Sequence, residues 1–474
     1  AAGDATVSGS VAGLIDAGGS DSGIMVGIDT SSVGVKSGTV TISGESDGTS
    51  TSGFTNNIAL ADEVVDVSGT VYRLAQGSAT PDPVSFGNVH VGDATGQSLT
   101  VLNTAAADGF SESLGVGAAA TGDAGVSGAV SGLIAAGGSD SGLTVSIDTS
   151  TAGAKSGTVD LSYSSDGAGT SELSAIGAGG QSVAVSGSVY RLAEATIDNP
   201  LAFNLGSVHV GDTVSQAVSI TNSAVADAYS ESLNASFGAS SDARIQNNGG
   251  SITQLAAGDT DGSSMVVSLD TSSAGSIGGT QTIDFASDGT GSSGLGITGL
   301  PSQNLSVTAS ISATAYNLAD PVINNAQPLA FGNYREGDGV TSQAVSITND
   351  APDDGFSEAL NASVGGTTGG VTTNGGSFNL LGPQQTDNTS ITVAIDTATA
   401  GDKSGVATID FESDGTGSSE LGITALASQD VAVTGAVYRL AQMDVTPNPV
   451  DLGNFRVSDT AEASVSVANT AAND

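Results

Sequence analysis

Val183-Ala184-Val185-Ser186-Gly187-Ser188-Val189-Tyr190-Arg191-Leu192-Ala193 is the stretch on which the fold turns. Val183, Val185 and Val189 fall on one side of a period-two pattern, with Ala184, Ser186 and Ser188 on the other, so a β-strand would bury one face of it. Its last five residues return at 71–75 and 437–441, and 315–319 give a fourth version, Ala-Tyr-Asn-Leu-Ala. The tyrosines Tyr72, Tyr190, Tyr316 and Tyr438 are 118, 126 and 122 residues apart. Phe86-Gly87-Asn88, Leu205-Gly206-Ser207, Phe331-Gly332-Asn333 and Leu452-Gly453-Asn454 keep the same beat, as does Ser-Asp-Gly centred on Asp47, Asp166, Asp288 and Asp414. Recurrence at this spacing marks units of domain size, far longer than the ~20–50-residue repeats of solenoids.

Beyond this stretch, the unit at 76–193 holds further alternating segments: 99–103, 143–147 and 158–163. Gly, Asn, Asp and Ser clusters separate them, where turns need positive φ or side-chain bonds to the backbone. No stretch carries a helical period with caps. About seven short strands per ~100 residues is the signature of an antiparallel sandwich. The expected fold class is all-β, a linear array of tandem Ig-like antiparallel β-sandwich domains. Residues 1–75 read as a partial domain without its first strands. Residues 76–193, 194–319 and 320–441 read as whole domains, and 442–474 as the first strands of another.

Composition narrows the function. The 474 residues include 50 Asp+Glu against 9 Lys+Arg, two His, no Cys and no Trp, for a formal charge of −41. Without cysteine, disulfide scaffolds, thiol catalysis and Cys-based metal centres are excluded. So acidic a chain repels phosphate, which argues against a nucleic-acid partner. No apolar run approaches the ~20 residues of a membrane span, so no membrane insertion is expected. High charge and few aromatics resemble disorder, but abundant Val, Ile, Leu and Ala in alternation do not.

Phe86-Gly-Asn-Val-His-Val-Gly-Asp93, then Leu99-Thr-Val-Leu-Asn-Thr104, Ile147-Asp-Thr-Ser-Thr-Ala-Gly153 and Ser156-Gly-Thr-Val159 resemble the bacterial choice-of-anchor D repeat. That family is similar to Hydin-type and major-sperm-protein-like immunoglobulin folds. Matching blocks recur at 205–212 with 218–222 and at 331–338 with 345–349. The chain departs from the family pattern in having Ile-Asp-Thr or Leu-Asp-Thr before the Gly-Thr strand. A long Gly/Ser segment also follows each Ser-Asp-Gly turn. The resemblance implies Ig-like sandwiches on a bacterial surface protein.

The ends do not coincide with unit boundaries. Val7-Ser8-Gly9 aligns with Val126-Ser127-Gly128, and Asp474 with Asp108, so tail and head together lack only the equivalents of residues 109–119. One reading makes the sequence a window on a longer array, which fits the absence of an initiator Met. The other is a homopolymer built head-to-tail by strand complementation. In it the tail at 448–469, through Val450, Leu452, Phe455, Val457, Val465, Val467 and Asn469, supplies the strands the 1–75 part-domain lacks.

Catalytic patterns are lacking. His90 and His209 share one repeat position with Arg335 and Arg456, so that position serves as a cation on a strand and not as a proton shuttle. No enzyme is expected. Lys36, Lys155 and Lys403 share a turn, and Arg73, Arg191 and Arg439 share the last strand beside Tyr72, Tyr190 and Tyr438. Only Arg244 stands apart. Two readings remain for these arginines: pairing with carboxylates at interdomain junctions, through the Asp93/Asp212/Asp338/Asp459 position, or a solvated strand face. Phe110-Ser-Glu-Ser-Leu114, Tyr229-Ser-Glu-Ser-Leu233 and Phe356-Ser-Glu-Ala-Leu360 read as an exposed loop with one aromatic anchor plugging the sandwich edge. Acidic loops raise Ca2+. Asp259 and Asp261 open an EF-like loop with no Glu at its twelfth place, and Asp140 and Asp148 recur at matching positions. Ordinary Asx turns explain the same recurrence.

The expected function is therefore that of a non-enzymatic structural protein, extracellular or on the bacterial cell surface. Tandem Ig-like domains would form a filament, sheath, stalk or surface layer with no cofactor. The alternative is a fragment of a large adhesin that binds carbohydrate, Ca2+ or a surface receptor at loop ends.

Overall fold

The computed structural model of the chain describes residues 1–198, 202–304 and 309–472. Among them there is no helix. Residues 76–193 form two four-stranded sheets. One runs in the order Ala124–Gly128, Ser139–Ile147, Gln97–Asn103, Gly77–Thr80, and the other Ser113–Gly122, Gly153–Asp166, Ile176–Tyr190, Val84–His90. Alternation turns Leu99, Val101, Val145, Val159 and Val183 inward, all at 0% exposure, onto Leu114, Leu161 and Tyr163. Each aliphatic side chain so buried contributes about 1.5–3 kcal/mol.

One feature departs from the expected antiparallel plan. Val84–His90 lies parallel to Ile176–Tyr190, with His90 opposite Tyr190. Pro81 and Pro83, which have no backbone N–H, occupy the link between Gly77–Thr80 and Val84–His90. There the chain leaves one sheet for the edge of the other, a place where proline costs no ladder bond. The same parallel pairing recurs as His209 opposite Tyr316 and Arg335 opposite Tyr438. A second crossing between sheets passes through Gly122, at φ +65°, where a Cβ would lie 2.6 Å from the Ser156 carbonyl oxygen.

Residues 194–319 and 320–441 repeat this plan around their own cores, centred on Ile220, Leu233, Met265 and Ile283 in one and on Ile347, Leu360, Val393 and Phe411 in the other. In each, a buried asparagine ties the sheets to a loop. Asn103 Nδ2 donates to the carbonyls of Glu112 and Ile134 (3.1 and 3.0 Å), and Asn222 and Asn349 do the same in their units.

The two end segments carry the same elements without their partners. In residues 1–75, Gly34–Ile42 pairs with Ala2–Gly3 and Glu63–Val71, and Ala5–Gly9 with Ile24–Ile28. Val26 is 44% exposed where its equivalent Val145 is sealed. In the tail, Met443–Thr446 pairs with Ser466–Asn469, Asn469 opposite Met443 as Asn103 lies opposite Gly77. The strand expected around Val450, Leu452, Phe455 and Val457 is not formed. Among the described residues of the complete sandwiches, that strand is held by its parallel neighbour alone, the last strand of the same unit, and no described strand lies beside the tail in that place. Val457 is 99% exposed and Val467 63%.

Candidate functional site

The recurring chemistry of this molecule lies where one sandwich meets the next. The Tyr-Arg end of each last strand runs into the aromatic-Ser-Glu loop of the following unit. Arg191 N–H donates to the Tyr229 carbonyl (2.8 Å) and Glu231 N–H to the Arg191 carbonyl (3.1 Å). Arg73 repeats this with Phe110 and Glu112, and Asn317 with Phe356 and Glu358. These are one-residue parallel bridges, so the backbone passes from sandwich to sandwich already hydrogen-bonded. Beside each bridge two rings meet at a tilt: Tyr72 with Phe110, Tyr190 with Tyr229 and Tyr316 with Phe356, with centroids 5.6–6.1 Å apart.

A buried glutamate sits at the centre of each joint. Glu231, at 0% exposure, accepts from Ser287 Oγ at 2.7 Å through Oε2, and Ser287 Oγ in turn accepts the Ala193 N–H at 2.7 Å. Oε1 accepts from Ser293 Oγ and from His90 Nε2 of the preceding sandwich at 2.9 Å. Asn88 of that sandwich also donates to the Ser293 carbonyl. Glu358 repeats the set with Ser413, Ser419, the Ala319 N–H and His209 Nε2 at 3.0 Å. Glu112 has Ser165, Ser171 and the Ala75 N–H, and among the described residues no basic side chain reaches it. A carboxylate stripped of water is costly unless its lone pairs are filled, and here hydroxyls and imidazole fill them.

The cluster assembles serine, histidine and glutamate without making a nucleophile. Both hydroxyls donate to the glutamate, the histidine does the same, and no serine hydroxyl is directed at the ring. Ser287 and Ser293 are sealed from solvent. The geometry is that of a structural hub.

The cations divide by role. Arg73 and Arg191 pair with Asp108 and Asp227 of the following sandwich, the latter at 2.7 Å. The arginine hydrogen bonds hold both carboxyls below the usual aspartate range. The carboxylates involved are therefore those ahead of the aromatic-Ser-Glu loop. They are not the Asp93, Asp212, Asp338 and Asp459 set, because Asp93, Asp212, Asp338 and Asp459 accept the backbone N–H three residues earlier and close their own turns. Arg439 lies 3.8 Å from Glu336 of its own sandwich, and Tyr438 beside it is 49% exposed. The lysines are not at joints. Lys155 is buried in its own sandwich, 3.6 Å from both Asp123 and Asp148 and donating to Thr151, and Lys403 likewise donates to Thr399.

The acidic loops stay apart. Asp140 caps Ser131 and Gly142, Asp261 caps Ser263 and Ser264, and Asp148 caps Ser150 while facing Lys155. The Asp259 carbonyl, not its side chain, accepts from Asn222. Among the described residues no three acidic or histidine side chains converge as a metal site would require.

Sequence reading places the aromatic-Ser-Glu motif in an exposed loop, and the structure corrects this. Glu112, Glu231 and Glu358 are 0–3% exposed. A signal for their burial is present in the residues. In a chain that recruits Asp for its turns, Glu recurs at one position of three units, each time two residues after an aromatic and two before a leucine.

No protein-family model and no curated protein matches the chain. Among solved structures it is similar to the protocadherin gamma B2 extracellular cadherin domains 1–5, with a TM-score of 0.39, 11% identity, 92% of this chain and 72% of that chain covered. It is also similar to the Escherichia coli adhesin FdeC (TM-score 0.22, 14% identity, 76% and 96% covered). A third is the N-terminal eight Ig domains of Down Syndrome Cell Adhesion Molecule (TM-score 0.21, 11% identity, 91% and 44% covered). The tandem-sandwich architecture stands on the sheet topology itself.

Proposed function

We propose that this chain is a non-enzymatic structural element of an extracellular or bacterial-surface assembly, a stiff stalk or filament whose subunits join head-to-tail. One observation carries the reading: successive sandwiches are linked by the same joint three times, a backbone bridge, a ring pair and a buried glutamate hub. A chain of independently tumbling domains needs no such joint, since ordinary linkers leave relative motion free. Repetition of a desolvated, hydrogen-bonded contact converts a string of domains into a rod.

The tail hairpin keeps the register of a complete sandwich while leaving Val465 and Val467 open, and the 1–75 segment keeps its strands while leaving Val26 and Val65 open. The −41 charge, about ten excess negative charges per sandwich, keeps such rods soluble and laterally apart. Negative-stain electron microscopy with small-angle scattering on the purified chain tests the reading. Straight rods whose length grows in whole-chain steps with concentration are expected. Flexible beads of constant mass would overturn it.

A further inference from the structure

The three whole sandwiches share one strand whose outer edge they treat differently. Ser232–Ser240 is covered along that edge by Ser251–Leu255, and Ala359–Thr367 by Ser377–Leu381. Both of those strands also shift register on their inner side, between Phe237 and Ser240 and between Val364 and Gly366. Ser113–Gly122 pairs ten residues with Gly153–Asp166 without a shift, and among the described residues its other side pairs only through the Leu114–Ile134 bridge. We propose that Ser113–Gly122 is a docking edge for an extended strand of another protein, apolar toward the core and basic toward solvent, that adds antiparallel to this sheet. The proposal goes beyond the head-to-tail reading and does not depend on it.

Leu114 shows which way the edge points. Its N–H donates to the Ile134 carbonyl and its carbonyl accepts the Ile134 N–H, both at 2.8 Å, so its backbone groups face away from Gly153–Asp166. Alternate residues of an antiparallel strand face alike, which sets the N–H and C=O of Val116, Ala118 and Ala120 outward as well. Among the described residues none of those groups has a partner. Such an edge is commonly blunted by charge, proline or a bulge, and Ser113–Gly122 contains none of the three. Residues 129–132 are held away from it, because Ser131 donates through both its N–H and its Oγ to Asp140 of the opposite sheet.

The other two sandwiches show what an occupant of this edge looks like. Ile252 stands opposite Ala235 and is 4% exposed within its core, and Phe378 stands opposite Ala362 and packs on the core of its own unit. The equivalent place in residues 76–193 is opposite Val116, so an incoming strand needs an apolar side chain there. Charge decides the rest. Residues 76–193 carry ten carboxylates against Lys155 and Arg191, and the exposed Asp160 lies opposite Ala119 on the next strand in. Neighbouring strands are about 4.8 Å apart. A Lys or Arg placed opposite Ala119 therefore reaches across its methyl to the Asp160 carboxylate. A second copy of this chain would bring more negative charge to the same edge, so the partner that fits is cationic.

Isothermal titration of the whole chain with the synthetic peptide Lys-Val-Lys-Val-Ser-Ile-Thr tests the proposal. Antiparallel addition puts its isoleucine opposite Val116 and its second lysine opposite Ala119. Saturable binding of one peptide per chain below about 1 mM is expected, with amide exchange slowed at Val116, Ala118 and Ala120. Asp160→Asn is expected to weaken binding about fivefold, the upper end for an exposed ion pair. A peptide with both lysines replaced by glutamate is expected to bind about tenfold more weakly or worse. Ala118→Pro removes an outward N–H without breaking the inner ladder and is expected to abolish binding. Asp160 is exposed, so its variant keeps the test decisive even if Ala118→Pro disturbs its strand. No binding at that concentration, binding that survives Ala118→Pro in a folded chain, or equal affinity for the glutamate peptide would overturn the proposal. So would a chain that pairs with its own copy through this edge, seen as a mass that doubles in sedimentation and halves again with Ala118→Pro.

Discussion

Glu231 shows how one residue can govern a joint. Its two oxygens take two serine hydroxyls and an imidazole, and one of those serines holds the Ala193 N–H where the chain enters the sandwich. Removing the carboxylate leaves several buried donors without acceptors. Glu231→Ala is therefore expected to destabilise the chain by about 3–5 kcal/mol, and Glu231→Gln, which keeps one acceptor, by about 1–3 kcal/mol. Urea unfolding followed by circular dichroism reads both. Values within error of wild type would show that the hub contributes nothing to stability.

Asp288 tests the acidic turns at the same scale. The Thr290 hydroxyl, then the Thr290 N–H and the Asn234 amide, hold its carboxyl below the ordinary 3.8. A depressed folded pKa contributes stability that is complete above the unfolded value and is lost as pH falls through the folded one. The stability gap between wild type and Asp288→Ala should stay constant from pH 7 to about 5 and shrink below 3.8. Thermal melts across that range check it, and a gap that widens on acidification refutes the assignment. Asn234 and Asn361, both in Asn-x-Ser/Thr sequons, donate their amides to Asp288 and Asp414.

Among elements, the strand that carries His90 has the most unusual place. It leaves the sheet of Gly77–Thr80, lies parallel to the last strand, and so brings an imidazole to the end of the sandwich that faces the next one. The bridge between last strand and aromatic-Ser-Glu loop then ranks the contributions. Arg191 and Asp227 are both about one-third exposed, and such a pair is worth about 1 kcal/mol or less in solvent. The ring pair adds about 0.5–1.5 kcal/mol, and the backbone bonds and the hub act without solvent screening. Arg191→Ala should accordingly cost under about 1 kcal/mol. Tyr190→Ala, which removes the ring contact, should cost more and increase the spread of interdomain angles seen by scattering. The opposite ranking would place the joint's strength in the ion pair.

At the scale of the whole molecule, the proposed head-to-tail assembly is tested through the tail. Burial of Val465 and Val467 in a complete sandwich is worth about 1.5–3 kcal/mol each, and the tail leaves both in water. Truncation after Leu440 is expected to abolish concentration-dependent oligomers while the three sandwiches keep their unfolding midpoints. Light scattering and calorimetry on the same sample separate the two effects. Oligomers that persist without the tail would rule out complementation.

Much of this is legible in the residues. Period-two alternation specifies strands because a pleated chain turns every second side chain to one face, so Val183, Val185 and Val189 by themselves announce a buried face. The 118–126-residue spacing of the tyrosines announces the length of each unit and that three of them lie between residues 76 and 441. The confinement of eight cations to three repeat positions also singles out Arg73 and Arg191, though not their partners. Those partners are a tertiary matter. His90 meets Glu231 from 141 residues away, and Arg191 meets Asp227 and not Asp212, because the parallel edge strand and the loop of the next unit are brought together only when two complete sandwiches abut. Local alternation along the sequence determines each sandwich. Contacts between sandwiches depend on which edges face one another, and that is decided by packing.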